Sequence, residues 1–285
     1  MLKEIDPLQA ENMLKSMVIP PCPAILLQLE QEQLRPEPDF DRIVQLISSD
    51  LTLSASVMKT VNSPFFSLNN RVSSVYQALQ LLGLRNLGNI VRGVLLRQAL
   101  SPEGEQKMER FWLNSLRVAQ VSARLAEMAS GVAVDEAYTY GLFQDCGMPL
   151  MQARFPSYWS TLEKCEAQTL AKMLEIEVSH HQTQHAVVGY LLARTWYLPE
   201  SIGLAILNHQ NVAIFESPED GVWQQVCNLI ALAGLAGQVV RKYGEQPAVR
   251  DWRLIEPVFL RHLGVGRSEF EDFTDRMFRL LDSPP

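Results

Sequence analysis

Apolar residues in this 285-residue chain recur with the spacing of an α-helix almost throughout, and no segment alternates convincingly in the way of a β-strand. Leu51, Ala55, Met58 and Val61, for example, fall on one helical face. A chain without strands has to bury its apolar faces helix against helix. The sequence therefore predicts an all-α fold, and 47% hydrophobic residues are enough for a sizeable core.

Proline, glycine and capping residues mark where the predicted helices begin and end. Ser74 and Gln77 form a capping box that opens a helix closing at Gly83. Asn62, followed by Ser63 and Pro64, predicts a helix end with Asn62 in the left-handed conformation. The sequence SPEGE at residues 101–105 is the clearest break in the first half. The predicted divisions are an extension at 1–17, a helical part at 18–100, a second helical subdomain at 105–245 and covering helices at 246–285.

Composition restricts the classes of partner. With 25 Lys and Arg against 32 Asp and Glu, the formal net charge is −7, which argues against a nucleic-acid-binding surface. The four cysteines are widely spaced, as expected of reduced thiols. The N-terminus lacks the apolar run of a signal peptide, and no stretch of 18 apolar residues predicts a membrane span. We expect a cytoplasmic protein without membrane or nucleic-acid partners.

The sequence GLFQDCG at residues 141–147 predicts the end of a helix that begins near Asp135. Gly147 is expected to take a left-handed conformation there, and Pro149 to stop any continuation. Asp145 shares a face with Gly141 and Leu142, so its carboxylate points inward. An unpaired buried carboxylate is costly. A metal, an arginine or a set of backbone donors is therefore needed as its partner.

Two histidines share this inward orientation. His185 is followed on its face by Val188 and Leu192, and His209 lies on the same face as Ile206. Two imidazoles and a carboxylate from three helices form a possible site for a divalent metal. The alternative is that each histidine is a hydrogen-bonded core residue, which is the commoner role of a single histidine on an apolar face.

The remaining histidines carry less information. His180 and His181 begin a polar stretch that predicts a solvated approach to a helix. His262 lies among the terminal helices without an acidic residue at useful spacing. Neither a nucleophile elbow nor a phosphate-binding glycine loop is present.

Five motifs occur in order along the chain: IPPCP at 19–23, ISSD at 47–50, VNS at 61–63, ALQLLGL at 78–84 and GLFQDCG at 141–147. In this succession they resemble the HDOD family, an all-helical bacterial relative of the HD-type metal-dependent phosphohydrolases, which include the HD-GYP enzymes. The resemblance runs from about residue 18 to about residue 236. It implies a helical N-terminal subdomain followed by an HD-like helical subdomain.

The resemblance also implies that the metal site of the HD enzymes is incomplete in this chain. Asn114 stands where active enzymes have a histidine on the long helix, and Gln144 replaces the histidine of the His-Asp doublet. Gly234 stands in place of a late metal-binding aspartate. Amides are poor ligands for transition metals, and glycine has no side-chain donor.

Asp145, His185 and His209 are the ligand-like positions that remain. We therefore expect neither catalytic residues nor a cofactor, and no bound metal. Any metal that did bind would be held by these three residues.

Three functional hypotheses follow. The first is a non-catalytic signal-transduction module that acts in trans on a protein partner or binds a small ligand. The second is a metal-dependent phosphohydrolase of a nucleotide or cyclic dinucleotide, and the third is a scaffold without a ligand. Arg85, Arg92 and Arg97 form a possible cationic stripe for an acidic partner, although such a stripe is usually only a solvated helix face.

Overall fold

The computed structural model describes residues 17–63, 66, 71–100, 106–129, 131–165, 168–216 and 221–282. Over these ranges the regular structure is helical with no β-strand, which confirms the all-α prediction. None of the described helices is both long and apolar enough to cross a bilayer. The helices are α1 (Ala24–Gln33), α2 (Phe40–Ser48), α3 (Leu51–Val61), α4 (Val75–Leu100), α5 (Gln106–Ala126), α6 (Val134–Phe143), α7 (Gly147–Arg154), α8 (Tyr158–Cys165), α9 (Leu170–His181), α10 (His185–Thr195), α11 (Glu200–Asn208), a 3-10 turn (Val212–Phe215), α12 (Val222–Tyr243), α13 (Trp252–Leu263) and α14 (Arg267–Leu281).

The chain divides into two compact units. The first combines Met1–Pro21 with Gly104–Arg267, and the second combines Cys22–Glu103 with Ser268–Pro285. The break predicted at residues 101–105, all but the last residue of the extension predicted at 1–17, and Pro64 lie outside the described residues.

In the second unit α1, α2 and α3 pack against α4. A buried carboxylate joins α1 to α2. Glu32 is 2% exposed and accepts hydrogen bonds from Arg35 at 3.1 Å and from the Asp39 amide at 3.3 Å. Its Oε1 atom also lies 3.1 Å from Arg42 Nη1. Since an unpaired carboxylate is costly to bury, these donors are what allow Glu32 to lie in the core.

Capping chemistry sets the boundaries in this unit. The Gln77 amide donates to Ser74 Oγ at 3.1 Å, as in the predicted capping box. The reciprocal hydrogen bond differs from the prediction, because the Gln77 side chain accepts from the Ser73 amide, at 3.0 Å, and not from the Ser74 amide. Gly83 has φ +76° and divides α4 at the predicted position. The left-handed Asn62 was a wrong prediction, because φ is −81° there. Its side chain instead donates to the Val72 carbonyl at 2.9 Å and accepts from the Val72 amide at 2.8 Å.

In the first unit α5 packs along α6, and both contact α12, which lies in the apolar centre of the unit. The predicted buried helix at 226–240 is confirmed and extends over Val222–Tyr243. The connecting region expected up to residue 179 is wrong, because α7, α8 and α9 occupy most of it. The short, partly polar helices in this region lack a long apolar repeat.

Candidate functional site

Asp145 lies in the turn between α6 and α7, as the helix predicted to begin near Asp135 suggested. Its side chain is 29% exposed. Oδ2 accepts a hydrogen bond from Gln144 Nε2 at 3.1 Å. Oδ1 lies 3.6 Å from His185 Nε2 and 3.5 Å from His209 Nε2. The partners of the carboxylate within this structure are thus two imidazoles and an amide.

Gly147 brings α7 against the start of α10. A Cβ atom at this position would lie 2.0 Å from the His185 carbonyl oxygen and 2.7 Å from the Gly189 amide nitrogen. Gly147 is not among the residues with positive φ, and Pro149 lies inside α7. The predicted left-handed exit and proline stop are therefore wrong. Glycine is needed here for backbone approach, and proline fits the first turn because its missing N–H has no helical partner there.

His185 is the first residue of α10 and is 1% exposed. His209 follows α11 directly, and α10 and α11 pack against each other. The two Nε2 atoms lie 3.2 Å apart. The structure thus brings Asp145, His185 and His209 together, as their inward positions predicted, and their ligand atoms all lie within 4.8 Å of one another. We call these three residues the cluster.

Glu177, on α9, is a member of this site that the sequence analysis missed. It is 1% exposed, and its two oxygens lie 2.8 and 2.9 Å from His185 Nδ1. Oε2 also accepts from the His185 backbone amide at 3.2 Å, and Oε1 accepts from the Tyr158 hydroxyl at 2.5 Å. The available signal was the position of Glu177 between the apolar residues Ile176 and Val178 in LEIEV at 174–178, in a region that was expected to be a connection.

The charges of the site follow from these contacts. Burial alone would raise the pKa of Glu177, but the charge and hydrogen bonds of His185 outweigh burial and lower it. Burial likewise opposes protonation of His185, but Glu177 and Asp145 raise its pKa above the ordinary value. Burial lowers the pKa of His209, with His185 adding to the effect. Without a cation, the site is therefore an anionic Glu177 beside a His185 that readily holds a second proton.

In that state the imidazole nitrogens all have protein partners. His185 Nδ1–H donates to Glu177, and His185 Nε2–H points to His209 Nε2 at 3.2 Å. His209 Nδ1–H donates to the Ile206 carbonyl at 2.7 Å. The network joins the α6–α7 turn, α9, α10 and α11.

The same residues fit one divalent ion. The three facing atoms, His185 Nε2, His209 Nε2 and Asp145 Oδ1, are separated by 3.2, 3.5 and 3.6 Å. Tetrahedral zinc with ligands at its usual bond lengths separates them by about 3.3–3.4 Å. A His₂-carboxylate set leaves a fourth position for water or substrate.

Three further positions are those that the resemblance compares with metal ligands of the HD enzymes. Gln144 donates to Asp145 instead of presenting a ligand. A Cβ at Gly234 would lie 2.4 Å from the ring of Phe259, so this position is packed on α13 and leaves no room for an aspartate. Gly141 packs on Ala119, five residues after Asn114 on α5, and Asn114 itself carries an amide.

The other candidate residues lie apart from the cluster. His180 is exposed, as predicted, but His181 is buried and forms a hydrogen bond with Thr161 Oγ1 at 2.9 Å. The two histidines do not lead into a helix as expected, because they are the last residues of α9. His262 bonds Asn228 Oδ1 at 2.8 Å. These contacts give His181 and His262 structural roles.

The predicted arginine stripe requires a correction at its centre. Arg92 is 13% exposed and forms an ion pair with Glu30 at 2.8 Å, and it also donates to Asn89 at 2.8 Å. Its guanidinium therefore links α4 to α1 within the second unit. Arg85 and Arg97 are exposed.

Two curated relatives were found. An uncharacterized protein of Treponema pallidum (strain Nichols) is 26% identical over 218 residues, which make up 76% of this chain and 42% of that protein. The uncharacterized protein YuxH of Bacillus subtilis (strain 168) is 26% identical over 101 residues, 35% of this chain and 24% of YuxH. The chain thus spans less than half the length of each of these relatives.

Solved structures share the fold. An HDOD domain protein of unknown function from Geobacter sulfurreducens superposes with a TM-score of 0.71 at 22% identity, covering 96% of both chains. A candidate phosphohydrolase from Shewanella amazonensis SB2B gives 0.70 at 19% identity, covering 96% of this chain and 93% of that one. A candidate signal transduction protein from Marinobacter aquaeolei VT8 gives 0.64 at 22% identity, covering 94% of this chain and 58% of that one.

The family is shown by a match over most of the sequence. The model of the HDOD domain matches residues 19–212, and this range contains the five motifs and the whole cluster. The chain belongs to the HDOD domain family.

Proposed function

We propose that this chain is a non-catalytic HDOD regulatory module that acts by binding a protein partner or a small ligand. The observation that carries the proposal is the hydrogen bond from Gln144 Nε2 to Asp145 Oδ2 at 3.1 Å. Gln144 stands where the resemblance expects the histidine of the doublet. An amide N–H that donates to the neighbouring carboxylate offers no lone pair to a metal. The doublet is thus used for hydrogen bonding.

The polar network around the cluster supports a structural role for its residues. Glu177 and the Ile206 carbonyl accept from the two imidazoles of the cluster, and the Tyr158 hydroxyl donates to Glu177. Because fully satisfied buried networks hold their elements in one arrangement, the cluster would set the relative positions of α9, α10 and α11. A regulatory module needs such a defined arrangement in order to present one surface to its partner.

A metal-dependent phosphohydrolase is the second candidate, acting on a nucleotide or cyclic dinucleotide. It is favoured by the close approach of the three donor atoms of the cluster, since catalytic zinc sites are known with three protein ligands. A bound divalent ion would supply Lewis acidity toward a phosphoryl oxygen. Against it stand Asn114, Gln144 and Gly234 at the other ligand positions.

Hydrolysis assays distinguish the two candidates. The full chain is incubated with Mn²⁺ or Zn²⁺ and with a cyclic dinucleotide or bis(p-nitrophenyl) phosphate, beside His185→Ala. We expect the same background rate from both proteins. Turnover that is lost in His185→Ala and retained in the matched variant His262→Ala would refute the non-catalytic function and establish the second candidate.

The partner surface is proposed on the part of α4 after Gly83, where Arg85 and Arg97 are exposed. An acidic or phosphorylated partner would be attracted to these guanidinium groups, and its binding should weaken as salt screens the charges. We expect Arg85→Glu to reduce capture of the partner from native cytoplasm at low salt without changing the fold. Arg92→Glu is unsuitable as a test, because it would place two carboxylates together at Glu30.

Identical co-purifying proteins from the wild type and Arg85→Glu, at low and high salt, would count against this surface.

A further inference from the structure

We infer that Glu177 makes the cluster of Asp145, His185 and His209 a preorganised site for one divalent cation of the zinc class. Glu177 would support cation binding whether or not the module turns over a substrate, and this role therefore goes beyond the proposed function.

Hydrogen-bond partners determine which imidazole nitrogens carry hydrogen. An ionised carboxylate and a backbone carbonyl are acceptors only. Glu177 lies 2.8 Å from His185 Nδ1, and the Ile206 carbonyl lies 2.7 Å from His209 Nδ1. Both Nδ1 atoms must therefore carry hydrogen. In the neutral imidazoles this leaves the lone pairs on the two Nε2 atoms.

The lone pairs of the two Nε2 atoms lie close to each other and to Asp145. The two Nε2 atoms are 3.2 Å apart, and Asp145 Oδ1 is 3.6 and 3.5 Å from them. Three acceptor atoms at this separation repel one another unless a proton or a cation lies among them. Their spacing is close to the ~3.3–3.4 Å between neighbouring ligands of tetrahedral zinc.

The charge of the site also favours a divalent cation. Glu177 and Asp145 place two carboxylates on opposite sides of His185, and Glu177 is 1% exposed. A single proton shared by the imidazoles leaves the cluster with Glu177 at a net charge of −1, whereas a divalent cation neutralises it. Imidazole ligands favour zinc and its neighbours over magnesium, which prefers oxygen.

Glu177 therefore acts as a positioning residue that would not touch the ion itself. A carboxylate that accepts from the far nitrogen of a ligating histidine fixes its tautomer and raises its basicity. The hydroxyl of Tyr158 holds Glu177 in turn at 2.5 Å. We expected no bound metal because this chain lacks ligands at several positions where the HD enzymes have them. Glu177 is not at one of those positions, and its hydrogen bond to the cluster did not enter that expectation.

The test is metal binding by the full, tag-free chain after chelator treatment. Zinc binding is measured by isothermal titration calorimetry, and cobalt is titrated as a spectroscopic probe, because tetrahedral Co²⁺ absorbs strongly in the visible region. We expect about one Zn²⁺ per chain, a tetrahedral cobalt spectrum and little binding of Mg²⁺. His209→Ala should abolish both signals. Glu177→Gln should weaken zinc binding about 10- to 100-fold, as is usual for the loss of such a hydrogen-bond partner.

Controls separate this site from other metal-binding groups and from misfolding. His262→Ala and His180→Ala remove histidines outside the cluster, and their zinc affinity should equal that of the wild type. Circular dichroism checks that Glu177→Gln is folded. Tyr158→Phe leaves Glu177 charged but removes its hydroxyl partner, and it should weaken zinc binding less than Glu177→Gln.

Two results would overturn the inference. One is zinc binding by the wild type that is no stronger than binding by His209→Ala. The other is unchanged zinc affinity in both Glu177→Gln and Tyr158→Phe, which would leave Glu177 without a role toward the cation. Neither result bears on the proposed function, because hydrolysis and partner capture are measured separately.

Discussion

Replacing Gly147 by alanine is expected to separate α7 from α10 and to unfold the first unit more easily. The new Cβ would lie 2.0 Å from the His185 carbonyl oxygen, 2.7 Å from the Gly189 amide nitrogen and 2.8 Å from the His185 carbonyl carbon. Cβ atoms essentially never approach other heavy atoms within 3.0 Å, so the two helices must part by at least 1 Å. All three neighbours are backbone atoms, so a change of rotamer cannot relieve the contact.

The size of the effect follows from two opposing terms. Adding a methyl group to a packed interface costs about 1–3 kcal/mol, and the upper half of that range applies because the clash is with backbone. Alanine in place of helical glycine recovers roughly 0.5–1 kcal/mol at most. We therefore expect Gly147→Ala to lower the free energy of unfolding by about 2 kcal/mol.

Tryptophan fluorescence during urea unfolding is the measurement that isolates this unit. All five tryptophans of the chain, at positions 112, 159, 196, 223 and 252, belong to the first unit. Gly237→Ala is the matched control, since nothing lies within 4 Å of its new Cβ. Its midpoint should stay the same or rise. In Gly147→Ala the displaced His185 should also lose part of its contact with the other cluster residues.

An unfolding midpoint for Gly147→Ala equal to that of the wild type or of Gly237→Ala would refute the reasoning. The close approach of α7 and α10 would then not be a constraint on this fold, and the placement of His185 would need another cause.

Three further predictions concern polar groups away from the cluster. Glu32→Ala should lower the free energy of unfolding, followed by far-ultraviolet circular dichroism, by about 1–3 kcal/mol, because the Asp39 amide, Arg35 and Arg42 lose the buried carboxylate that they contact, and an unshifted transition would contradict this. Asn62→Ala should lower stability by a similar amount, about 1–3 kcal/mol, because both backbone groups of Val72 lose their partner; equal stability would show that water replaces the side chain. Burial lowers the pKa of His262 below its ordinary value of 6.5. As the pH falls below 6.5, this histidine is therefore protonated in the unfolded chain before it is protonated in the folded chain, and the free energy of unfolding decreases. His262→Gln should therefore lose less stability than the wild type between pH 7.5 and pH 5.5 in urea titrations, and equal losses would exclude this histidine as the cause.

Several features of the site could be predicted from the sequence alone. Asp145, His185 and His209 were identified from their positions on apolar helical faces, and the structure brings them together. The division of α4 at Gly83 followed from glycine chemistry in the same way. These predictions succeeded because each depends on residues a few positions apart, where helical geometry is known in advance.

The contacts that were missed are those between residues distant in sequence. Glu177 is eight residues from His185, and its role depends on how α9 folds back beside α10. The sequence predicted Arg92 to be part of a surface stripe, but in the structure it pairs with Glu30, which lies 62 residues earlier. A sequence pattern shows which face of a helix is polar, but it does not show which distant group lies opposite.

The sequence by itself determined the helical class, the family motifs and the residue types that can bind a cation, because period, capping and ligand chemistry are local properties. Tertiary structure decided the rest. It turned Gly147 from an expected helix exit into the contact between α7 and α10, and it assigned a partner to each imidazole nitrogen of the cluster. The physical reason is that hydrogen bonds and steric contacts act over about 3 Å. Only the packing of helices brings groups from different parts of the chain within that distance.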